Sequence, residues 1–132
     1  NDVIVLYGDT ISNININQLI NRHKKSLKEI TMTVWPLKIP YGIVEIGDNE
    51  LVESFVEKPI LNKWINIGYF YINSNYRKKV FNHKNFEKFL SNAAKYKTMN
   101  AYKHLGLHIT VNTLSELEEA QLNIKSVLKD GE

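Results

Sequence analysis

Val3 to Tyr7 is a continuous apolar run closed by Gly8-Asp9. A short run without polar alternation predicts a strand covered on both faces, as in the middle of an α/β sheet. From Asn15 to Leu27 the period lengthens. Ile16, Leu19, Ile20, His23 and Leu27 share a helical face, with Asn13 or Asn15 as the cap. Ile30 to Trp35 returns to a period of two, with Ile30, Met32 and Val34 on one side and Thr31, Thr33 and Trp35 on the other. Pro36 and Pro40 bracket an irregular segment before Tyr41-Gly42.

Gly42–Ile46 and Leu51–Val56 read as two strands joined by Gly47-Asp48-Asn49-Glu50, a hairpin turn by composition. Pro59–Lys63 reads as a loop, and Trp64–Ile72 as a long aromatic-rich strand. Two short helices follow, Asn75–Phe81 and Phe86–Tyr96, then strand-like stretches at Met99–His104 and Leu107–Val111. Thr113 opens a last helix, with Glu116 completing a capping box. Leu114, Leu117, Gln121, Ile124 and Leu128 mark its expected buried face, and Asp130-Gly131-Glu132 is expected to fray. This order predicts a single α/β domain over residues 1–132, a mixed sheet covered by helices. No internal repeat, low-complexity tract or linker interrupts it.

Composition narrows the classes. A chain of 132 residues with 43% hydrophobic and 23% charged residues can bury one real core. No apolar stretch approaches the ~20 residues that span a bilayer. The net charge of +3 is too modest, and its lysines too scattered over helices, to argue for nucleic acid. With no cysteine, disulfides and thiolate metal sites are excluded, which fits a cytoplasmic setting. His23, His83, His104 and His108 lack metal-ligand spacing and read as structural. No Gly-x-Ser-x-Gly nucleophile motif is present.

Four places can carry chemistry, each with an ordinary structural reading beside the functional one. Gly8-Asp9 ends the first strand, where ligands of open α/β sheets bind. Asp9 either caps a turn or holds Mg²⁺ against phosphate oxygens, with Gly8 admitting a ligand to the backbone. Glu57-Lys58-Pro59 is either a strand-end turn or a carboxylate for sugar hydroxyls beside an ammonium for phosphate. Asn66 is polar in an apolar strand, and Gly68 shares its face. Either Asn66 bonds to nearby backbone, or it meets a ligand that Gly68 leaves room for. The fourth is Tyr102-Lys103-His104-Leu105-Gly106 and, further on, Val111-Asn112-Thr113, where Asn112 precedes the last helix and reads as a capping or pre-cap residue.

The order of these segments resembles the sugar-1-phosphate nucleotidyltransferase family, with glucose-1-phosphate cytidylyltransferases the closest likeness. Gly8-Asp9, Tyr41-Gly42, Glu57-Lys58-Pro59, Trp64-Ile65-Asn66-Ile67-Gly68, Ala101-Tyr102-Lys103-His104 and Asn112-Thr113-Leu114 carry it, over roughly Val3 to Gln121. The resemblance implies a Rossmann-like fold with a mixed, mostly parallel sheet flanked by helices and without its N-terminal nucleotide-binding portion. It implies an enzyme that joins a nucleoside triphosphate and a sugar 1-phosphate, releasing pyrophosphate. Asp9 would then hold Mg²⁺, and Asp9 and Lys58 would be catalytic. Lys58 would meet the phosphate, while Gly8, Gly42, Glu57, Asn66 and Gly68 would line the sugar-phosphate site. Two departures stand out. Asn112 falls where the family carries its second metal aspartate. No Gly-x-Gly-x-Arg loop for the triphosphate exists among the six glycines. A fragment of a longer enzyme is therefore expected, inactive alone, associating with its missing half or with itself. The other reading is a non-catalytic homologue that binds sugar phosphates or nucleotide sugars.

Overall fold

A computed structural model describes the backbone of residues 1–129 and the side chains of residues 1–125. The expected burial of Leu128 and fraying of Asp130, Gly131 and Glu132 lie outside the described residues. Along the chain, β1 (Val3–Leu6), β2 (Thr10–Ser12) and α1 (Ile16–Ser26) precede β3 (Ile30–Lys38), β4 (Ile43–Ile46) and β5 (Val52–Val56). Then come β6 (Ile60–Ile72), α2 (Ser74–Phe81), α3 (Phe86–Lys95), β7 (Met99–Lys103), β8 (His108–Thr110) and α4 (Leu114–Lys129).

The main sheet has the order β1-β6-β3-β7. β6 is antiparallel to both neighbours, and β3 is parallel to β7, so three strands run one way and β6 alone opposes them. The mixed α/β architecture expected from the sequence is the one observed. Helices cover both faces. On one, Ile30, Phe70 and Ile72 pack with Val80 of α2 and Phe89, Leu90 and Ala93 of α3. On the other, Ile67 and Tyr71 pack with Ile14 and Leu19 beside α1. Thr31 and Thr33 of β3 are fully buried between the layers, which the alternation alone does not reveal.

α1 starts as expected, with the Asn15 side chain accepting from the Gln18 amide at 2.9 Å. It ends at Leu27, which takes φ 52° as the C-cap and is exposed rather than buried. A left-handed terminal residue turns its side chain away from the helix face.

Several elements depart from the sequence expectation. β1 is an edge strand, so Ile4 and Leu6 are 39% and 57% exposed instead of covered on both faces. Residues 60–63 are strand, not loop. They extend β6 into a two-stranded ribbon with the end of β3, beyond the last pairing of β3 with β7 at Val34. Asn62 and Lys63 are exposed there, so the stretch shows no apolar alternation. Pro36 lies inside β3, next to a register shift and past the β7 pairing, where a missing N–H is tolerated. β2 is too short to register as a period and pairs with β8 in a separate antiparallel ribbon.

The expected buried face of α4 packs only in part: Ile124 is half-buried, one turn from Ala120. Ala120 is buried, whereas Leu114 is 81% exposed and Leu117 and Gln121 also face solvent. Its capping box forms as expected: Thr113 Oγ1 accepts from the Glu116 amide, and Glu116 Oε2 accepts from the amides of Asn112 and Thr113.

Candidate functional site

The parallel strands β1, β3 and β7 end on the same side of the sheet, where β6 carries Asn66 and Gly68. Tyr7 follows β1 directly, and its amide donates to the Gly68 carbonyl at 2.9 Å. The Tyr7 ring lies against Gly68, which has φ +80°. A Cβ there would come within 2.5 Å of Tyr7 Cγ. Tyr7 is held from behind by Phe70 and Phe86, at centroid distances of 5.6 and 6.5 Å.

This aromatic packing fixes the asparagine. Asn66 Oδ1 accepts from the Gly68 amide at 2.9 Å, and Asn66 Nδ2 donates to the Tyr7 hydroxyl at 3.2 Å. The ordinary expectation for Asn66, a bond to neighbouring backbone, is therefore met. The residue is nonetheless exposed, and one amide hydrogen remains for a ligand. Tyr7 is the positioning residue that sequence reasoning left unassigned. Its only signal was an aromatic ring directly before Gly8-Asp9.

Gly8 and Asp9 are exposed, and a side chain at Gly8 would meet nothing within 4 Å. The Asp9 carbonyl accepts from the Val111 amide at 2.9 Å, prolonging the β2–β8 ribbon. That register puts Val111 opposite Asp9; Asn112, the position that the family resemblance pairs with Asp9 around a metal, is the next residue. The chemistry is one carboxylate and one neutral amide. Among the described residues, no group of three or more His, Asp or Glu side chains is placed to share a metal ion. Such a donor pair suits Mg²⁺ only where phosphate oxygens and water complete the shell.

The remaining predicted residues form a second group at the base of the β4–β5 hairpin. A Cβ on Gly42 would clash with the Phe55 ring and lie 3.1 Å from Glu57 Oε2, so Gly42 and Glu57 are neighbours. Lys58 is exposed and holds φ 45°, immediately before Pro59. Left-handed backbone in a non-glycine residue costs roughly 1–3 kcal/mol and clusters at ligand-binding positions. Pro59 ties this corner to the sheet through its carbonyl, which accepts from the Ile39 amide at 3.1 Å. Glu57 and Lys58 make no hydrogen bond to the Tyr7–Asn66–Gly68 group among the described residues. The two groups are linked by β6, whose first half separates them.

A cavity of about 560 Å³ lies between the β3–β6 ribbon and α4. Trp35, Ile65, His108, Glu116, Glu119 and Asn123 contribute to its lining. The Trp35 and His108 rings are 5.4 Å apart, and the Trp35 indole N–H donates to the Gly106 carbonyl. Burial, and then the nearby His104, hold the His108 pKa below its usual value. None of the residues singled out from the sequence as site candidates lines this space.

Comparison with known proteins places this geometry. A family model described as nucleotidyl transferase matches residues 1–126. The glucose-1-phosphate adenylyltransferase of Mycoplasma mobile is 26% identical over 92% of this chain and 36% of its own length. A Bacillus subtilis protein assigned as a glucose-1-phosphate cytidylyltransferase is 28% identical over 88% of this chain and 46% of its own. The chain thus spans less than half the length of these relatives. A Bacillus anthracis structure, described as a glucose-1-phosphate thymidylyltransferase in complex with a sucrose, superposes at TM-score 0.62 with 15% identity, covering 92% of this chain and 54% of that one. HddC from Yersinia pseudotuberculosis superposes at 0.59 with 20% identity, covering 93% and 55%. At those identities the structural likeness shows the fold alone. With its family match running over nearly the whole sequence, the chain belongs to the nucleotidyl transferase family.

Proposed function

We propose that this chain is the sugar-phosphate-binding part of a sugar-1-phosphate nucleotidyltransferase. The parent enzyme transfers a nucleotidyl group from a nucleoside triphosphate to a sugar 1-phosphate and releases pyrophosphate. The observation that carries this reading is the Tyr7–Asn66–Gly68 clamp beside the exposed Asp9, at the strand ends where α/β sheets bind ligands.

In this reading Asn66 directs its free amide hydrogen to a sugar hydroxyl, over the space left by Gly68. Glu57 accepts from sugar hydroxyls at the hairpin base, and Gly42 leaves it room. Lys58 neutralises the sugar phosphate as a point charge. Asp9 would hold Mg²⁺ with phosphate oxygens, and the metal would supply charge neutralisation at the transferred phosphorus. The protein's own contribution is orientation of the attacking phosphate and exclusion of competing geometries. The glycine-rich triphosphate loop of the family has no counterpart in these 132 residues. The isolated chain therefore binds sugar phosphate without turning it over, in the cytoplasm, where these substrates occur.

The second reading, a non-catalytic homologue that binds sugar phosphates or nucleotide sugars, is favoured by one observation. Asn112, next to the Val111 that pairs with Asp9, is an amide where the family resemblance puts a second carboxylate. The test is pyrophosphate release by the longer parent protein, assayed with each nucleoside triphosphate and several sugar 1-phosphates, with Asn112→Asp alongside. Release by the unmodified parent supports the enzyme. Release only after Asn112→Asp identifies a decayed metal site, and no release from either protein sinks the catalytic reading.

A further inference from the structure

The cavity under α4 is built unlike the clamp at Asn66, and its lining reaches Thr110 and Glu116, close to Asn112. Ile65 lines it, and the next residue along β6 is Asn66, so the two side chains point to opposite faces. α4 presents Glu116, Glu119 and Asn123 to this space, residues three and four apart that share one helical face. At the same time Leu114 and Leu122 of that helix are 81% and 83% exposed. α4 thus lines the cavity with polar side chains, of which Glu116 is half-buried and Glu119 and Asn123 are exposed, while Ala120 is its buried contact. Carboxylates on a cavity wall beside unused leucines are a local conflict of the kind that concentrates where a sequence serves a ligand.

Opposite α4 stands the Trp35–His108 pair. His108 Nε2 is taken by Thr110 Oγ1 at 3.0 Å, whereas Nδ1 is buried without a partner. An unpartnered buried polar atom is costly unless something reaches it. The volume of about 560 Å³ falls within the range of small-molecule sites. We propose that this cavity is a second carbohydrate site, taking an uncharged, hydroxyl-rich ring of hexose size.

Charge selects that class. Glu116 and Glu119 repel a phosphate. Lys38 Nζ already sits 4.4 Å from the Trp35 ring centroid, so a cationic guest competes with a resident cation. A neutral ring donates hydroxyls to the two carboxylates while its C–H face rests on the aromatic pair. Glu116 Oε2 is committed to the α4 cap, which leaves Oε1 and the Glu119 carboxylate as the acceptors.

The test uses the 132-residue chain with Trp64→Phe, so that Trp35 is the only indole. Its fluorescence is titrated with methyl α-glucoside, glucosamine and glucose 1-phosphate. The proposal expects a saturable change with the glucoside, weaker responses to the other two, and a shift of the His108 ring resonances on binding. Glu119→Gln, at an exposed position that leaves the fold intact, weakens glucoside binding about tenfold. No saturable change with the glucoside overturns the proposal. So does a response indifferent to Glu119→Gln, one lost instead in Asn66→Ala, or tighter binding of the charged sugars.

Discussion

The side chains that fix this molecule are few, and each works by leaving a neighbour no alternative. His23 is the clearest. Its Nε2 lies 2.8 Å from Asn73 Oδ1, while the Asn73 amide donates to the Lys28 carbonyl and to Glu29. Asn73 therefore accepts from His23, and His23 Nδ1 accepts from the buried Thr31 hydroxyl at 2.9 Å. Replacing His23 with Leu strands two polar groups and is expected to cost about 2–4 kcal/mol in urea unfolding, since each unsatisfied buried group costs roughly 1–3 kcal/mol. Gly68→Ala should be as severe, because it meets the Tyr7 ring and a φ of +80° together. Tyr7→Phe is the milder probe. It removes only the Asn66 contact and should weaken sugar 1-phosphate binding about three- to tenfold with little loss of stability, measured by titration of the chain. The sequence marks Asn66 and Gly68 because polarity and glycine are conspicuous in an apolar strand. It does not mark Tyr7, because one more aromatic residue at a strand end looks like core.

At the scale of elements, what was legible follows from local chemistry. The α1 cap at Asn15, the Thr113–Glu116 box and the 47–50 turn were all readable, because each is decided within four residues. What needed the whole sheet was not. β1 looks central by composition but is an edge, and the leucines of α4 look buried but face solvent. The Glu116 box also carries a pH dependence. The amides of Asn112 and Thr113 hold its carboxyl below the usual carboxylate range. A depressed native pKa gives stability that is present above the ordinary value and lost as pH falls through the native one. Protection of amides 112–118, their exchange compared with that of an unstructured chain at the same pH, should therefore fall on acidification below about pH 4. Glu116→Ala should show the lower protection already at neutral pH and lose the acid dependence. Equal exchange in both proteins at neutral pH would mean that the cap does not hold the start of α4.

For the whole molecule, the decisive feature is what the sheet leaves uncovered. Among the described residues β1 pairs only with β6, so its other edge is open for backbone pairing. The two residues on its α1 side, Ile4 and Leu6, are exposed beside that edge. The β4–β5 hairpin adds further apolar surface, with Phe55 62% exposed and Ile46 and Val52 close to it. A two-stranded hairpin has little stability of its own and gains from a partner. An open edge flanked by apolar side chains is a template for further strand pairing. The 132-residue chain is therefore expected to self-associate as its concentration rises, with β1 edges as the contact. Leu6→Lys places a charge beside the edge, which blunts pairing without touching either core cluster. Sedimentation velocity should show the unmodified chain shifting to larger species with concentration, and Leu6→Lys remaining a monomer over the same range. A monomer in both would mean that the twist of β1 already protects the edge. Association that survives Leu6→Lys but is lost on Phe55→Lys would move the contact to the hairpin.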